Sequence, residues 1–208
     1  MDEKLTGKVL CGVGVSLDGF VAGVGMTEER PFGDVEPGSL HRWMFDEPEQ
    51  HKTERAYLSE LAGAYIMGRN MFGPSGAEYD RNWRGWWGEE PPYHAPVFVL
   101  THRPREPLTM EGGTTFHFVT DGIESALRQA RAAAGERPVL IAGGAQVVNQ
   151  YLAAGFIDEL WIHTAPVTIG HGPRLFTDVP RMRFEPVEFG GTSLVSHVRY
   201  RVLGTDVD

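Results

Sequence analysis

The chain has 208 residues, of which 41% are hydrophobic, and its formal net charge at pH 7 is -9. The apolar fraction can supply a full core, whereas the acidic balance argues against general nucleic-acid binding, which needs a basic face. We find no apolar run of the about 18 residues that a membrane-spanning helix requires. The single cysteine, Cys11, cannot form an internal disulfide, so we expect a cytoplasmic protein.

Strands and helices are predicted to alternate along the chain. The first predicted strand, in the segment KVLCGVGVS, carries Gly12 and Gly14 on one face, which leaves room there for another group to approach. The next predicted strands occupy residues 64–68, 96–101, 114–119, 137–143 and 158–167, followed by two long strands within 182–203. Predicted helices occupy residues 39–45, 48–63, 120–135 and 145–155, and a short helical turn follows residue 68.

Two finer expectations concern the ends of this pattern. Ser39 is the predicted N-cap of the first helix. In the last strand, the period of two places Val198, Tyr200 and Val202 toward the core and turns His197, with two arginines, to the solvent.

Alternating strands and helices with continuous apolar strands predict an α/β protein. Its sheet is expected to be mostly parallel and covered by helices on both faces, with the closing hairpin adding antiparallel strands. We see no internal repeat and no low-complexity linker, so residues 1–208 are expected to form a single domain.

Three predicted strands end in segments that suit an anion: YIMGRNMFG, VLTHRPRE and LIAGGAQVV. A helix N-terminus offers backbone N–H groups and the positive end of a dipole, and glycine lets a ligand approach closely. Taken singly, each glycine junction also suits a packing turn, because neither matches a dinucleotide or phosphate-loop fingerprint. Together, at the carboxyl ends of strands in one open sheet, they predict an extended anion-binding crevice.

The segments VSLDGFVAG, YIMGRNMF, VFVLTHRP, LIAGGAQVVNQYL and IDELWIHTAPVTIGHGPRLF occur in an order that resembles the dihydrofolate reductase superfamily. The similarity is closest to the branch that contains the reductase domain of the bifunctional riboflavin-biosynthesis deaminase-reductase. It implies a three-layer fold with a twisted, mostly parallel sheet, a C-terminal antiparallel hairpin, helices on both faces, and NADPH as the cofactor. It also implies a cis peptide between Gly143 and Gly144, and a homodimer.

The resemblance implies four groups of cofactor-binding residues. The nicotinamide would be bordered by Val13, Gly14, Val21 and Ala22. The cofactor phosphates would be held by Gly68, Arg69, Asn70 and Met71. The adenosine ribose and its 2′-phosphate would face Thr101, His102 and Arg103. The pyrophosphate would lie against Gly143, Gly144, Ala145, Gln146 and Val147.

This sequence departs from the family pattern at both sides of the site. Met71 stands where relatives carry Ser or Thr, and Ala145 replaces the third glycine of a triplet. Dihydrofolate reductases also carry a substrate-binding carboxylate on the first helix, and here the matching position is Leu40 or His41. Asp46 and Glu47 lie a turn farther on and suit a solvated helix end.

Reduction of a C=N bond needs a hydride on carbon and a proton on nitrogen. The candidate catalytic residues are His41, His163 and Asp18. The candidate substrate-binding residues are Trp43, Phe45, His163 and Arg174. Ordinary structural roles stay open for each: a hydrogen-bonded core histidine for His163, core aromatics for Trp43 and Phe45, and a turn for Asp18.

The sequence therefore predicts an NADPH-dependent reductase that transfers hydride to a C=N bond of a pyrimidine- or pterin-like substrate. The most similar named activity is 5-amino-6-(5-phosphoribosylamino)uracil reductase. Dihydrofolate reductase is the enzymatic alternative, and a non-catalytic NADPH- or nucleotide-binding protein is the alternative of another class. We expect a small heterocyclic substrate and no metal, nucleic-acid or membrane partner.

Overall fold

The computed structural model describes residues 5–36, 38–74 and 82–205, and these residues form one sheet flanked by helices. The strands are β1 (Val9–Ser16), β2 (Ala64–Gly68), β3 (Pro96–Leu100), β4 (Leu108–Thr109), β5 (Thr115–Val119), β6 (Val139–Gly143), β7 (Glu159–Ala165), β8 (Met182–Gly191) and β9 (Ser196–Thr205). The α-helices are α1 (Arg42–Asp46), α2 (Lys52–Ser59), α3 (Arg69–Phe72), α4 (Ile123–Ala134) and α5 (Ala145–Ala153). A 3-10 turn, Glu111–Gly113, precedes β5.

The strands are arranged in the order β4-β5-β3-β2-β6-β1-β7-β9-β8. The six strands from β5 to β7 in this order are parallel to one another, whereas β4, β9 and β8 pair antiparallel with their neighbours. The mostly parallel sheet and the closing hairpin are therefore confirmed, and the short β4 is an addition that the sequence pattern did not predict.

Two apolar layers cover the sheet. On one face, α4 and α5 pack on Val9, Cys11 and Ile141 of the central strands. On the other face, Tyr57 of α2 and Phe72 of α3 belong to a second core. Helices thus lie on both faces, as predicted. Among the described residues, no helix has the length and apolar character needed to cross a bilayer.

The first two helices are shorter than their sequence pattern predicted. The N-cap of α1 is His41, which makes no side-chain cap, so the prediction of Ser39 as the cap is wrong. Helix α2 ends at Ser59 with Glu60 as its C-cap. The N–H of Gly63 instead donates to the carbonyl of Pro138 at 2.9 Å, which ties this loop to the start of β6.

The orientation of His197 at the start of β9 is also a correction. The period of two turned this residue to the solvent, yet its exposed fraction is 2%. The reason is that β9 is covered unevenly: Trp43 of α1 and the loop before α2 lie over its first residues. Farther along the same face, Arg199 extends to Glu188 and Glu159 at 3.0 and 3.1 Å. Strand periodicity gives the face of a residue but not what covers that face.

Candidate active site

The three strand ends predicted to bind an anion lie side by side. Strands β3, β2 and β6 are consecutive and parallel, so their carboxyl ends share one edge of the sheet. Gly68 at the end of β2 is paired with Leu100 of β3, and Met67 is paired with Gly143 of β6. This edge is where ligands bind in open α/β sheets.

The Gly143–Gly144 junction has the features that the resemblance implied. The peptide bond between the two glycines is cis. Gly144 is the N-cap of α5 with an extended backbone, φ -73° and ψ -171°. A methyl group placed on Gly144 would meet no atom within 4 Å, so the space above this residue is open. The junction therefore has room for a ligand directly before a helix N-terminus.

The donors at this junction differ in one respect from the expectation. The N–H of Val147 donates to the carbonyl of Gly144 at 3.0 Å, so it is not available to an anion. The N–H groups of Ala145 and Gln146 have no acceptor within the described residues. Two backbone donors, rather than three, therefore remain next to the open space, and they suit a phosphate.

The second glycine junction packs directly against the first. A methyl group on Gly68 would lie 2.9 Å from Val147 Cγ2 and 3.7 Å from the Gly144 nitrogen. Glycine at this position lets α3 and α5 begin next to each other. The Arg69 guanidinium donates to the carbonyl of Gly73 at 2.9 Å, which anchors its side chain across α3. Asn70 after it is exposed.

The third strand end contributes positive charge at the same edge. His102 and Arg103 are exposed in the loop after β3. The N–H of Arg103 donates to Thr101 Oγ1 at 3.2 Å, so the threonine shapes the turn that presents the arginine. Met71 Sδ would lie 3.2 Å from a methyl group on Gly143, which places this methionine between the junctions.

Strand β1 carries the predicted nicotinamide side, and its glycine face is partly filled. A methyl group on Gly12 would meet Leu58 of α2, and one on Gly14 would lie 3.0 Å from His41 Nε2. The room that Gly12 was expected to leave is therefore taken by a helix, and Gly14 faces a histidine. Val13 points the other way into the core beneath α4 and α5.

The loop after β1 returns toward the sheet near these residues. The N–H of Val21 donates to the carbonyl of Pro173 at 3.0 Å, and the neighbouring Ala22 is buried. These contacts fix the segment against the loop that follows β7.

His41 and His163 meet over the end of β1. His163 is paired with Gly14 across the β1–β7 ladder, and Gly14 is the residue that His41 covers. Burial lowers the pKa of His41 to about 4. Burial also lowers the pKa of His163 well below its usual range, and the neighbouring His197, His41 and His51 lower it further. Both rings are therefore neutral at pH 7.

A hydrogen-bonded chain leads from His163 to the protein surface. His163 Nδ1 lies 2.7 Å from His197 Nδ1, and His197 Nε2 lies 2.9 Å from His51 Nδ1. His51 Nε2 lies 3.4 Å from Glu47 Oε2, which also accepts a hydrogen bond from Thr192 Oγ1 at 2.6 Å. We call His163, His197, His51 and Glu47 the histidine chain.

The aromatic residues predicted as a substrate wall have different positions. Trp43 has no exposed surface, and its ring contacts His51, His163 and His197 at centroid distances of 5.3, 5.0 and 4.8 Å. It therefore encloses the histidine chain as a core aromatic. Phe45 is 74% exposed on the opposite side of α1.

The geometry of Asp18 corrects its candidacy as a proton donor. Its carboxylate accepts hydrogen bonds from Ser16 Oγ at 2.6 Å, Gly170 N at 2.7 Å and Ile169 N at 3.1 Å. These bonds, with that from Ser16 the strongest, lower the pKa of Asp18 to about 2. An acid that is ionised at all working pH values cannot supply a proton, so Asp18 fastens the loop after β7 instead.

Arg174 is also held by its own loop contacts. Its guanidinium lies 4.7 Å from the centre of the Phe20 ring and donates to the carbonyl of Asp18 at 2.9 Å. This arrangement links the loops after β1 and β7. The contact between Arg174 and a substrate phosphate stays a prediction.

Sequence reasoning missed Glu47, His51 and His197 as members of the site. The four-residue spacing of Glu47 and His51 was the available signal, and the turn between α1 and α2 brings these two side chains together. The pairing of His163 with His197 depends on the register between β7 and β9, which the sequence does not reveal.

Two rings of the histidine chain also lie near a second carboxylate, that of Glu54. Ligand atoms of His51, Glu54 and His197 lie within 4.8 Å of one another. Since the His51 and His197 imidazoles already satisfy each other by a hydrogen bond, we assign the group to hydrogen bonding.

Acid is expected to destabilise the protein through its buried histidines. Burial lowers the pKa of His41 and His197 to about 4 and that of His163 further, so the unfolded chain binds protons below pH 6.5 that the folded chain excludes. Their stabilising contribution is complete above pH 6.5 and is lost as the pH falls toward 4. Urea unfolding should show a free energy about 2 kcal/mol lower per histidine at pH 5 than at pH 7.

A His163→Gln variant should show a shallower pH dependence, whereas His102→Gln, at an exposed site, should retain the wild-type slope. A free energy of unfolding that is flat between pH 7 and pH 5 would contradict the burial of these rings.

Comparisons with known proteins agree with this architecture. A family model described as the RibD C-terminal domain matches residues 7–196 of the chain. The uncharacterized protein YyaP of Bacillus subtilis (strain 168) is 22% identical over 176 residues, which cover 83% of this chain and 81% of YyaP.

Two solved structures show the same fold at low sequence identity. RibD of Acinetobacter baumannii has a TM-score of 0.61 and 17% identity, covering 95% of this chain and 58% of that one. Dihydrofolate reductase from Enterococcus faecalis, complexed with NADP(H), has a TM-score of 0.58 and 15% identity, covering 96% and 99%. The predicted dihydrofolate-reductase-like fold is thus confirmed.

Proposed function

The chain belongs to the RibD C-terminal domain family, and from this premise we propose that it is an NADPH-dependent reductase. The proposed reaction transfers hydride to a C=N bond of a pyrimidine- or pterin-like substrate. The activity it resembles most is that of 5-amino-6-(5-phosphoribosylamino)uracil reductase. The observation that carries the proposal is the open space above Gly144 beside two unoccupied backbone donors at the edge of the sheet.

Backbone donors and positive charge at this edge support NADPH as the cofactor. The N–H groups of Ala145 and Gln146 would hold the pyrophosphate, because they lie at the start of α5 and have no acceptor among the described residues. Gly68 and the residues of α3 would hold the neighbouring phosphate oxygens. Arg103, presented by the turn at Thr101, would bind the 2′-phosphate through charge-assisted hydrogen bonds.

When bound, NADPH would supply the hydride, and the protein must manage the proton. Burial lowers the pKa of His41 and of His163, so both rings are neutral at pH 7. His163 has a ring nitrogen, Nε2, that is buried and has no partner among the described residues. We propose that this nitrogen exchanges a proton with the substrate nitrogen, with His41 as the second candidate.

Dihydrofolate reduction is the second enzymatic candidate, and the first helix disfavours it. Leu40 is 2% exposed within the core, and His41 is the residue that lies over Gly14. Neither offers the carboxylate that dihydrofolate reductases use at this helix. A nucleotide-binding protein without turnover would retain the crevice but would give the buried Nε2 of His163 no chemical role.

The decisive experiment follows NADPH oxidation with 5-amino-6-(5-phosphoribosylamino)uracil, with its dephosphorylated form and with dihydrofolate. Oxidation with either pyrimidine and none with dihydrofolate is the expected result. Turnover of dihydrofolate alone would favour the second candidate. NADPH binding without oxidation of any compound in a wider pterin and pyrimidine panel would favour the binding protein.

We further propose that residues 1–208 act as a single domain, that the protein is a homodimer and that it works in the cytoplasm. The first two follow from the extent of the family match and the branch resemblance. Light scattering of the purified chain tests the dimer: a mass twice 23.0 kDa is expected, and a monomer at working concentration would contradict it.

A further inference from the structure

Burial makes a positive charge on the rings of the histidine chain costly, and the hydrogen bonds of the chain lead to a carboxylate. His163 and His197 are buried, with exposed fractions of 0% and 2%. A proton added to either ring would create a buried cation, which is costly without a counter-charge. An isolated His163 would therefore be a poor proton donor at neutral pH. Its Nδ1, however, is bonded to a chain that ends at a carboxylate.

The carboxylate lies at the solvent-facing end of the chain. Glu47 has 23% of its side-chain surface exposed, whereas His51 has 2%. Thr192 Oγ1 fixes one carboxylate oxygen, Oε2, which is also the atom that faces His51. A change of charge at Glu47 is therefore partly solvated, and the chain connects it to a ring that is not.

We propose that the histidine chain stores one proton between Glu47 and His163 for the reduction at the sheet edge. This inference rests on the proposed function, since it names the source of the proton for the substrate nitrogen. The rings of the chain stay neutral in both states, so no buried cation is needed.

The proton balance follows from the order of donors and acceptors. With Glu47 ionised, His51 Nε2–H donates to Glu47, His197 Nε2–H to His51 Nδ1, and His163 Nδ1–H to His197 Nδ1. His163 Nε2 is then an acceptor. When a proton that comes from the solvent is added at Nε2, each Nδ1 or Nε2 proton moves one position along and Glu47 becomes a neutral acid.

The same sequence in reverse delivers the proton. Glu47 returns its proton to His51, each ring passes one proton on, and His163 Nε2–H gives its proton to the substrate nitrogen. Bound NADPH would supply the hydride for the carbon of the C=N bond, so that the bond would become CH–NH and the cofactor NADP⁺. The chain is left with Glu47 ionised, ready to take up another proton.

Other charged groups near the chain do not replace Glu47. His41 approaches from the start of α1 and is neutral, because burial lowers its pKa to about 4. Glu54 of α2 is near His51 and His197 but makes no hydrogen bond to either ring in the described residues. Glu159 on β7 is engaged by Lys8 and Arg199 at 2.6 and 3.1 Å.

The first test reads the positions of the protons without any substrate. In protein labelled with ¹⁵N-histidine, ring nitrogen shifts distinguish protonated from bare nitrogens, and His→Gln variants assign them. At pH 7 we expect His163 to be protonated at Nδ1 and bare at Nε2. As the pH falls, the wild type and Asp46→Asn, at the adjacent exposed carboxylate, should change to the reverse order with His163 protonated at Nε2. Glu47→Gln should keep the order of pH 7, because an amide accepts the bond from His51 but cannot take up a proton. A reversal of the order in Glu47→Gln, or a wild-type order that does not reverse as the pH falls, would overturn the proposal.

The second test uses the purified 208-residue chain with whichever substrate supports NADPH oxidation. Glu47→Gln should lower kcat about 10- to 100-fold at unchanged NADPH affinity, and Asp46→Asn should remain within about twofold. In His51→Gly, added imidazole should restore part of the lost kcat. Pyrazole, a ring of the same size whose two nitrogens are adjacent and cannot bridge His197 and Glu47, should not.

The outcomes separate this proposal from the proposed function. Equal rescue by imidazole and pyrazole would mean that His51 only fills space, and the proton store would be refuted while the reductase stands. The expected proton order without turnover of any substrate would refute the reductase and leave the ordered chain. The proposal would also be overturned if the purified wild type contained stoichiometric Zn²⁺ bound at His51 and His197 and this metal inhibited turnover.

Discussion

Gly144→Val is expected to weaken NADPH binding at least about 30-fold, or roughly 2 kcal/mol, while leaving the protein folded. The expectation follows from the space above this residue, which is open to a side chain but is also the place assigned to the pyrophosphate. The backbone at Gly144, with φ -73°, lies in a region open to any residue. The added side chain should therefore compete with the ligand rather than with the core. Calorimetric titration gives the affinity, and thermal unfolding gives the stability.

Gly190→Val is the matched control. A methyl group on Gly190 also meets nothing within 4 Å, and this glycine lies in the β8–β9 hairpin. Its variant should bind NADPH within about twofold of the wild type, because the hairpin is distant from the helix N-terminus at Gly144. Equal binding by the Gly144→Val protein and the wild type would mean that the junction is a packing turn.

Arg103→Glu is expected to weaken NADPH binding about 100-fold and to change NADH binding by less than about threefold. Arg103 is exposed in the turn after β3, where reversal of its charge would replace an attraction for the 2′-phosphate by a repulsion. NADH lacks that phosphate, so its affinity serves as an internal reference. The measurement is the ratio of the two dissociation constants.

The control for charge reversal is Arg131→Glu on the exposed side of α4. It should leave both dissociation constants within about twofold, because screening limits the reach of a surface charge. Parallel losses for NADPH and NADH in Arg103→Glu would contradict 2′-phosphate recognition. They would instead indicate that the loop merely shapes the crevice.

The strand ends that form the proposed cofactor site could be predicted because their signals are local. Gly68 and Gly143 each mark the end of an apolar strand directly before a helix, and the observed β2 and β6 end at these residues. Parallel pairing then brings such ends to one edge without further information. The N–H of Val147 is the exception among the three donors expected at this junction. It donates to the carbonyl of Gly144 in a tightened first turn of α5.

The histidine chain could not be predicted because its contacts are long-range. His163 and His197 are 34 residues apart, and His51 is 146 residues from His197. Only the register of β7 with β9 and the placement of the α1–α2 layer bring these rings together. Asp18 failed for a related reason: its role depends on the N–H groups of Ile169 and Gly170, which lie 151 and 152 residues away.

A crystal structure of the chain grown with NADP⁺ tests the central claim most directly. The pyrophosphate should lie within hydrogen-bonding distance of the Ala145 and Gln146 N–H groups, the 2′-phosphate beside Arg103, and the nicotinamide over the end of β1 near His163. A nucleotide bound away from this edge of the sheet, or an empty edge at saturating NADP⁺, would contradict the assignment of a cofactor-binding site there.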